Sequence, residues 1–192
     1  MATVDHSEHH RAAADLEAGL TAVRSSPRDE GAVDLLVRRP AVDVRETPAR
    51  ADVDVAHGLV GDNWRERGSR RSADGAADPL AQVTVMNARA ALLMAGTRDR
   101  VPLAGDQVYV DLDLSEANLP AGTVLDFGDA ALEVTAAPHT GCAKFSARFG
   151  VDALRLTASP EGRALRLRGI NTRVVRPGVI RVGDTVRAVR PG

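Results

Sequence analysis

The sequence predicts a mainly β protein, a β-barrel with a few short helices and an N-terminal helix. Three observations favour this fold class. Short runs in which apolar and polar residues alternate recur along most of the chain, as in half-buried strands. Gly-Asp pairs, which are typical of tight turns, separate several of these runs. Strong helical patterns are confined to the start of the chain, to 87–96 and to the stretch after residue 142.

The first segment of the chain predicts a helix. Leu16, Leu20 and Val23 follow one another at i, i+4 and i+7, the spacing of a buried helix face. Asp5 and Glu8, three residues apart, fit a capping box at its start. A Ser-Ser-Pro sequence then ends the run, and a short polar linker follows it.

The chain therefore divides into an N-terminal helix and linker at 1–30 and a barrel domain at 31–190. Within the barrel domain, "RPGV" at 176–179 predicts a hairpin turn between two of the last strands. The helix predicted at 87–96 ends on a glycine, a common C-cap. Further strand-like runs lie at 52–56, 82–86, 107–114, 123–127 and 131–136, and in the last thirty residues.

Four Gly-Asp pairs mark predicted turns, with glycine supplying a positive φ and aspartate a local hydrogen bond. Three of them fit this ordinary turn chemistry. The pair at Gly61 and Asp62 differs, because Asn63 and Trp64 follow it directly. The other three pairs are Gly105-Asp106, Gly128-Asp129 and Gly183-Asp184.

Composition excludes several classes of protein. The net charge is -1 and no long block of one sign occurs, so neither nucleic acid nor an anionic membrane is expected as a partner. The first residues lack a secretory signal pattern, and no apolar run approaches the roughly 20 residues of a spanning helix. A single cysteine excludes an intrachain disulfide framework. We expect a cytoplasmic protein.

The segment "PHTGCAKF" at 138–145 holds the only cysteine, Cys142, and the only lysine, Lys144. His139 lies three residues before the thiol. Neighbouring cations and a helix start at Cys142 favour the thiolate, which is the form that binds soft metals and attacks sulfur. The alternative is a buried cysteine that acts as a small apolar filler, with Lys144 pointing outward.

Four stretches of the chain resemble, in order, the MOSC domain, named after the C-terminal part of molybdenum cofactor sulfurases. They are "GLVGDNW" (58–64), "VDLDLSEANLPAGTVLDFGDAALEVT" (110–135), "PHTGCAKF" (138–145) and "GINTRVVRPGVIRVGDTVRAV" (169–189). The resemblance covers about 31–190. It implies a barrel-like, mostly β fold that holds a molybdenum cofactor or passes sulfur to one.

The resemblance also implies roles for individual residues. Cys142 takes the place of the family cysteine, which binds molybdenum in the amidoxime-reducing members and is proposed as a persulfide carrier elsewhere. Asn118 takes the place of the Asn in the family's Glu-Asn-Leu segment, although Glu116 lies two residues before it instead of next to it. The chain has no aminotransferase-like domain and no ferredoxin-type cysteine cluster. Its expected partners are therefore a separate electron donor or a cysteine desulfurase.

A molybdopterin ligand presents a phosphate, which calls for Arg or Lys, and a pterin edge, which calls for Asn and Asp. The alternative for each candidate arginine is that it is a solvated surface charge without a ligand. The candidate cofactor-binding residues are Asn87, Arg89, Asn118, Arg148, Asp62 and Asn63.

The leading functional hypothesis is a small molybdenum-cofactor protein, monomeric or homodimeric, in which Cys142 binds the metal. It would reduce N-hydroxylated or similar small substrates, with Lys144 and His139 tuning the thiolate and supplying protons. One alternative is a sulfur-carrier or cofactor-delivery module that uses a persulfide on Cys142. Another is a non-enzymatic barrel that binds a small anion or a partner protein.

Overall fold

A computed structural model describes residues 6–69 and 72–192. The strands are β1 (Glu30–Leu36), β2 (Arg50–Asp54), β3 (Gly58–Leu59), β4 (Val83–Asn87), β5 (Val108–Asp111), β6 (Val124–Asp126), β7 (Ala131–Val134), β8 (Ile170–Arg176), β9 (Gly178–Arg181) and β10 (Thr185–Val189). The α-helices are α1 (Ala13–Arg24), α2 (Trp64–Arg67), α3 (Ala88–Ala95), α4 (Ala143–Phe149), α5 (Val151–Ala158) and α6 (Pro160–Ala164). Short 3-10 helices lie at Ser7–His9, Pro79–Ala81 and Arg98–Ala104.

Seven of the described strands close a barrel in the order β1-β10-β6-β7-β8-β4-β5. Neighbouring strands are antiparallel except β4 and β5, which run parallel. β3, β2 and β9 form a separate three-stranded sheet. The predicted barrel with an N-terminal helix and short helices is confirmed, and the helices are numerous enough to make the fold mixed α/β.

Strand alternation separates two apolar cores. In β5, Val108 and Val110 belong to the core inside the barrel, whereas Tyr109 between them belongs to a second core outside it. Met86 of β4 also lies in the second core, so this strand is buried on both faces. Helices must therefore cover this side of the barrel.

The second core is built from helix faces that the sequence pattern predicted. Leu16, Leu20 and Val23 of α1 are buried in it, as predicted from their spacing. Phe145 and Phe149 of α4 join them, one helical turn apart. These two rings fix α4 against the barrel and thereby fix the position of the residue that precedes the helix, Cys142.

Two sequence-based predictions were wrong in detail. α1 begins at Ala13, and Glu8 lies in a separate 3-10 turn, so no capping box starts this helix; Asp5 lies outside the described residues. The "RPGV" stretch is not a hairpin turn, because β9 pairs with β2 and not with β8. Pro177 has no N–H to continue the barrel ladder, and the chain leaves the barrel there.

The Gly-Asp turns have the predicted backbone. Gly61, Gly105, Gly128 and Gly183 all have positive φ, between 82° and 90°. A side chain is disfavoured in this region, which explains glycine at each turn. No helix in the described part of the chain has both the length and the apolar character needed to cross a bilayer.

Candidate functional site

Cys142 precedes α4 directly, with extended backbone angles of φ -129° and ψ 174°. The predicted helix start at this residue is confirmed. Its side chain is exposed, so Cys142 is not a buried apolar filler. Anchoring of the helix by Phe145 and Phe149, whose ring centroids lie 5.0 Å apart, holds this accessible sulfur at a fixed place on the surface.

A cavity of about 390 Å³, hereafter the Cys142 cavity, opens beside this residue. The stretch 138–148 forms one wall, and the loop between β1 and β2 forms another. Its volume lies in the range typical of small-molecule sites. The cationic side chains that line it are Arg39, Arg45, Arg67, Lys144, Arg148 and Arg168.

In the described part of the chain, two of these arginines have no carboxylate close enough for an ion pair, and Asp43 and Asp62 offset their charges only from a greater distance. Among residues 6–69 and 72–192, neither Arg45 nor Arg67 has a carboxylate oxygen within 4.0 Å, as the ion pairs of this part of the chain show. Burial lowers the pKa of Arg45, and the nearby Arg148 and Arg39 lower it further. Burial and Arg39 lower the pKa of Arg67 as well. An anion in the cavity would relieve this repulsion.

Asp43 is the only carboxylate among the described residues that line the Cys142 cavity. Its Oδ1 lies 3.1 Å from Nζ of Lys144 and 2.8 Å from a terminal nitrogen of Arg148. The hydrogen bond from Lys144 lowers the pKa of Asp43, so the carboxylate is ionised at neutral pH. One acidic side chain thus engages two of the cations that an incoming anion would need.

A buried carboxylate lies behind His139. Asp106 is fully buried and accepts a hydrogen bond from Arg168, and its Oδ1 lies 3.5 Å from Nδ1 of His139. Burial raises the pKa of Asp106, and the charge of Arg168 opposes that shift. The guanidinium of Arg168 also stacks 5.0 Å from the centre of the Phe145 ring. Asp106 thus places a buried carboxylate beside one ring nitrogen of His139.

The cavity brings together five of the residues predicted from the sequence. Asp62 lies behind its wall, fully buried, and binds Arg39 through both carboxylate oxygens. In the described part of the chain, no group of three or more His, Cys, Asp or Glu side chains could hold a metal ion. The predicted residues that line the cavity are Cys142, Lys144, His139, Arg148 and Asn63.

Asn87 and Arg89 do not line the Cys142 cavity. Asn87 caps α3, accepting a hydrogen bond from the N–H of Ala90 at 2.9 Å and donating to a backbone carbonyl. Arg89 forms a bidentate ion pair with Asp111 at 2.7 and 2.9 Å. Both side chains therefore have partners within the fold.

Asn118 is also remote from the cavity. It is fully buried, and its amide nitrogen donates 2.8 Å hydrogen bonds to the carbonyl oxygens of Arg28 and Asp113. Its side-chain oxygen accepts a 2.6 Å hydrogen bond from Arg190. Asn118 therefore ties the linker, the 113–118 turn and the C-terminal end together.

Sequence reasoning missed Asp106 and the arginines Arg39, Arg45 and Arg168. Asp106 belongs to a Gly-Asp pair that fits an ordinary turn, and its burial depends on partners 33 and 62 residues away. The remaining signal was its position just before the apolar run Val108, Tyr109 and Val110, since a charged residue at the end of a buried strand needs a partner.

The MOSC domain family model matches residues 61–187. Comparison with curated protein sequences yields no match. The crystal structure of the YuaD protein from Bacillus subtilis has a TM-score of 0.62 at 19% identity, covering 83% of this chain and 95% of that one. YiiM from Escherichia coli has a TM-score of 0.53 at 17% identity, covering 84% of this chain and 71% of that one. These two likenesses show the fold, and the family model, which matches more than half of the chain, shows that the chain belongs to the MOSC domain family.

Proposed function

We propose that this MOSC protein binds a molybdenum cofactor in the Cys142 cavity and reduces N-hydroxylated or similar small substrates there. One observation carries the proposal: an accessible thiol borders a cavity whose cationic side chains outnumber its carboxylates. Thiolates bind soft metals, and clustered arginines bind phosphate.

The described residues fit a cofactor with a phosphate and a pterin edge. The cavity volume of about 390 Å³ suits a ligand of that size. Nε of Arg45 and Oδ1 of Asn63 are buried and have no hydrogen-bond partner among the described residues. A donor for a phosphate and an acceptor for a pterin amine are thus both available. A single thiolate suits a metal that brings further ligands of its own.

Each residue would have a defined task. Cys142 would hold the metal through Sγ, Arg45, Arg67 and Arg148 would hold the phosphate, and Asn63 would bind the pterin edge. When bound, the cofactor would supply a redox-active metal for the two-electron reduction of the substrate. Reduction of an N-hydroxyl group to an amine consumes two electrons and two protons and releases water. A separate protein would supply the electrons.

His139 would deliver a proton to the leaving oxygen. Its ring lines the cavity and is mostly buried, with Nδ1 3.5 Å from a carboxylate oxygen of Asp106, which suits it to exchanging a proton with a bound substrate. Lys144 is 60% exposed and paired with Asp43, which suits it to guiding anions toward the cavity rather than to a fixed contact.

Metal analysis tests the proposal. Wild-type protein supplied with cofactor should retain near-stoichiometric molybdenum after gel filtration, whereas Cys142→Ala should lose it. Ser146→Ala, a small change one turn further along α4 and outside the cavity lining, is the matched control and should retain the metal. Equal molybdenum in wild type and Cys142→Ala would contradict binding through this sulfur.

A second candidate function is supported by the exposure of the sulfur itself. As a sulfur carrier, the Cys142 thiolate would attack the terminal sulfur of a desulfurase persulfide and release the desulfurase thiolate. Incubation with a cysteine desulfurase and its substrate should then add about 32 Da to the chain, without any requirement for molybdenum. Absence of this adduct, with molybdenum bound, would favour the reductase.

A further inference from the structure

A second cavity, of about 490 Å³, lies on the other side of the 138–141 segment. The start of β8, the ends of α5 and α6, and the loop before β6 close it. Asn171 donates hydrogen bonds of 3.1 and 3.2 Å to the carbonyl oxygens of Ala137 and Pro138, which fixes the segment between the two cavities. The residues that line both cavities are Pro138, His139, Thr140, Arg168 and Asn171.

The second cavity combines an apolar lining with cationic groups. Pro120, Leu154 and Ile170 supply apolar surface. Arg163 and Arg166 supply positive charge, and Glu116 is the one carboxylate among the described lining residues. Burial lowers the pKa of Arg166, with Glu116 opposing the shift, so the guanidinium is partly withdrawn from water. An anion would gain more from such a group than from a fully solvated arginine.

The backbone near this cavity is constrained at two positions. Arg166 has a φ of 48°, in the left-handed region that few side chains adopt. Its Nη1 donates a 2.6 Å hydrogen bond to the carbonyl oxygen of Leu119, which holds the side chain across the loop before β6. A Cβ at Gly169 would lie 3.2 Å from Nδ1 of His139 and 2.5 Å from the carbonyl oxygen of Val85. Backbone strain of the kind found at Arg166 is frequent at ligand sites, and the close approach at Gly169 leaves no room for a side chain beside His139.

Arg168 stands where the two cavities meet. It is 8% exposed, and its Nε is buried without a hydrogen-bond partner among the described residues. Its terminal nitrogens bind Asp106 and the carbonyl oxygen of Ala104. The unused donor is thus available to a polar group at the junction, beside His139.

We infer that the second cavity binds the substrate, a small molecule with an apolar body and an anionic group. Arg163 and Arg166 hold the carboxylate or phosphate, and the body lies against Leu154 and Ile170. The far end of the molecule reaches the junction at His139 and so meets the Cys142 cavity. Its role as substrate rests on the proposed reductase function, whereas its ligand class follows from the cavity alone.

Calorimetric titration of the full chain tests the ligand class without molybdenum. Benzoate and phenyl phosphate should both bind, and the one that binds more tightly identifies the preferred anion. Benzyl alcohol, which has no charge, should bind at least about tenfold more weakly. Inorganic phosphate, which lacks the apolar body, should compete with benzoate for the same arginines but bind more weakly. If benzyl alcohol binds as tightly as the anions, the proposed anion site is wrong.

Single-residue variants test which of the two cavities binds the anion. Arg166→Gln should weaken binding of the preferred anion about tenfold, and Ala158→Trp should abolish it by filling the cavity from an exposed helix position. Arg155→Gln, a solvated arginine on α5 outside this cavity lining, is the matched control and should change nothing. Binding that survives both cavity variants but is lost in Arg45→Gln would place the ligand in the Cys142 cavity and overturn the inference.

Turnover measurements distinguish a failure of this inference from a failure of the proposed function. In the molybdenum-loaded protein, Arg166→Gln should raise KM about tenfold for an N-hydroxylated substrate that carries the preferred anion, with a smaller change in kcat. A neutral N-hydroxylated compound should show no such effect. Predicted anion binding without any reduction would refute the reductase and leave the site standing. Reduction with a KM unaffected by Arg166→Gln would refute the assignment of this cavity to substrate.

Discussion

At the scale of single residues, Asp43 occupies the place that an anionic ligand would take. Its carboxylate holds Lys144 and Arg148 at the edge of the Cys142 cavity, and the residue keeps a φ of 60° to do so. Asp tolerates this conformation better than most side chains, although it remains uncommon. Anion binding in the cavity must therefore compete with an internal carboxylate.

Asp43→Asn should tighten binding of molybdate or phosphate to the cofactor-free protein about fivefold, because both cations lose their internal partner. The lowered pKa means that the pair is complete above the unfolded value of 3.8 and is lost only as the pH falls through the folded value. The effect should therefore be constant near neutral pH.

Titration calorimetry at low salt measures this change. Asp152→Asn, which removes a carboxylate that is paired with Arg155 on α5, is the matched control and should leave the affinity unchanged. Weaker binding in Asp43→Asn would mean that Asp43 organises the site rather than competing for it.

At the scale of elements, the loop between β1 and β2 carries Arg39, Asp43 and Arg45 to the cavity. Two sets of contacts hold this loop in place. The backbones of Arg38 and Glu46 exchange two hydrogen bonds of 2.9 Å, and Arg39 forms an ion pair with Asp62. Asp62 also accepts hydrogen bonds from the backbone N–H groups of Arg39 and Trp64. The Gly61-Asp62 turn therefore fixes the position of this loop.

Asp62→Asn should destabilise the protein by about 3 kcal/mol, because it leaves the buried guanidinium of Arg39 without its carboxylate. Urea unfolding measures the change. Asp34→Asn removes the partner of the solvated Arg98 and should cost less than about 1 kcal/mol. If Asp62→Asn keeps full stability but loses molybdenum, Asp62 contacts the cofactor directly, as the sequence suggested.

At the scale of the whole molecule, Cys142 lies where the barrel and the helical layer meet. The barrel supplies Thr84 and Asn171 to the cavity, and the helical layer supplies Lys144 and Arg148 from α4. Two separately packed cores support these two walls. Rigid walls suit a site that must hold charged groups in a fixed arrangement.

Local sequence patterns predicted the helices and strands better than they predicted the residues of the candidate functional site. Alternating apolar residues located β5 and β7, and the pair of phenylalanines with the cysteine located the start of α4. The Arg39–Asp62 and Asp106–Arg168 pairs join residues far apart in the chain, and pattern carries no information on such partners. For the same reason the sequence predicts cofactor binding for Asn118, whereas its amide nitrogen donates to backbone carbonyls within the fold.

X-ray absorption at the molybdenum edge tests most directly whether the sulfur of Cys142 binds the metal. Wild-type protein and Cys142→Ser would be loaded with the same cofactor and compared. If Cys142 is a ligand, the wild-type spectrum contains one sulfur neighbour of molybdenum that the variant lacks. The same sulfur coordination in both proteins would contradict the proposed site.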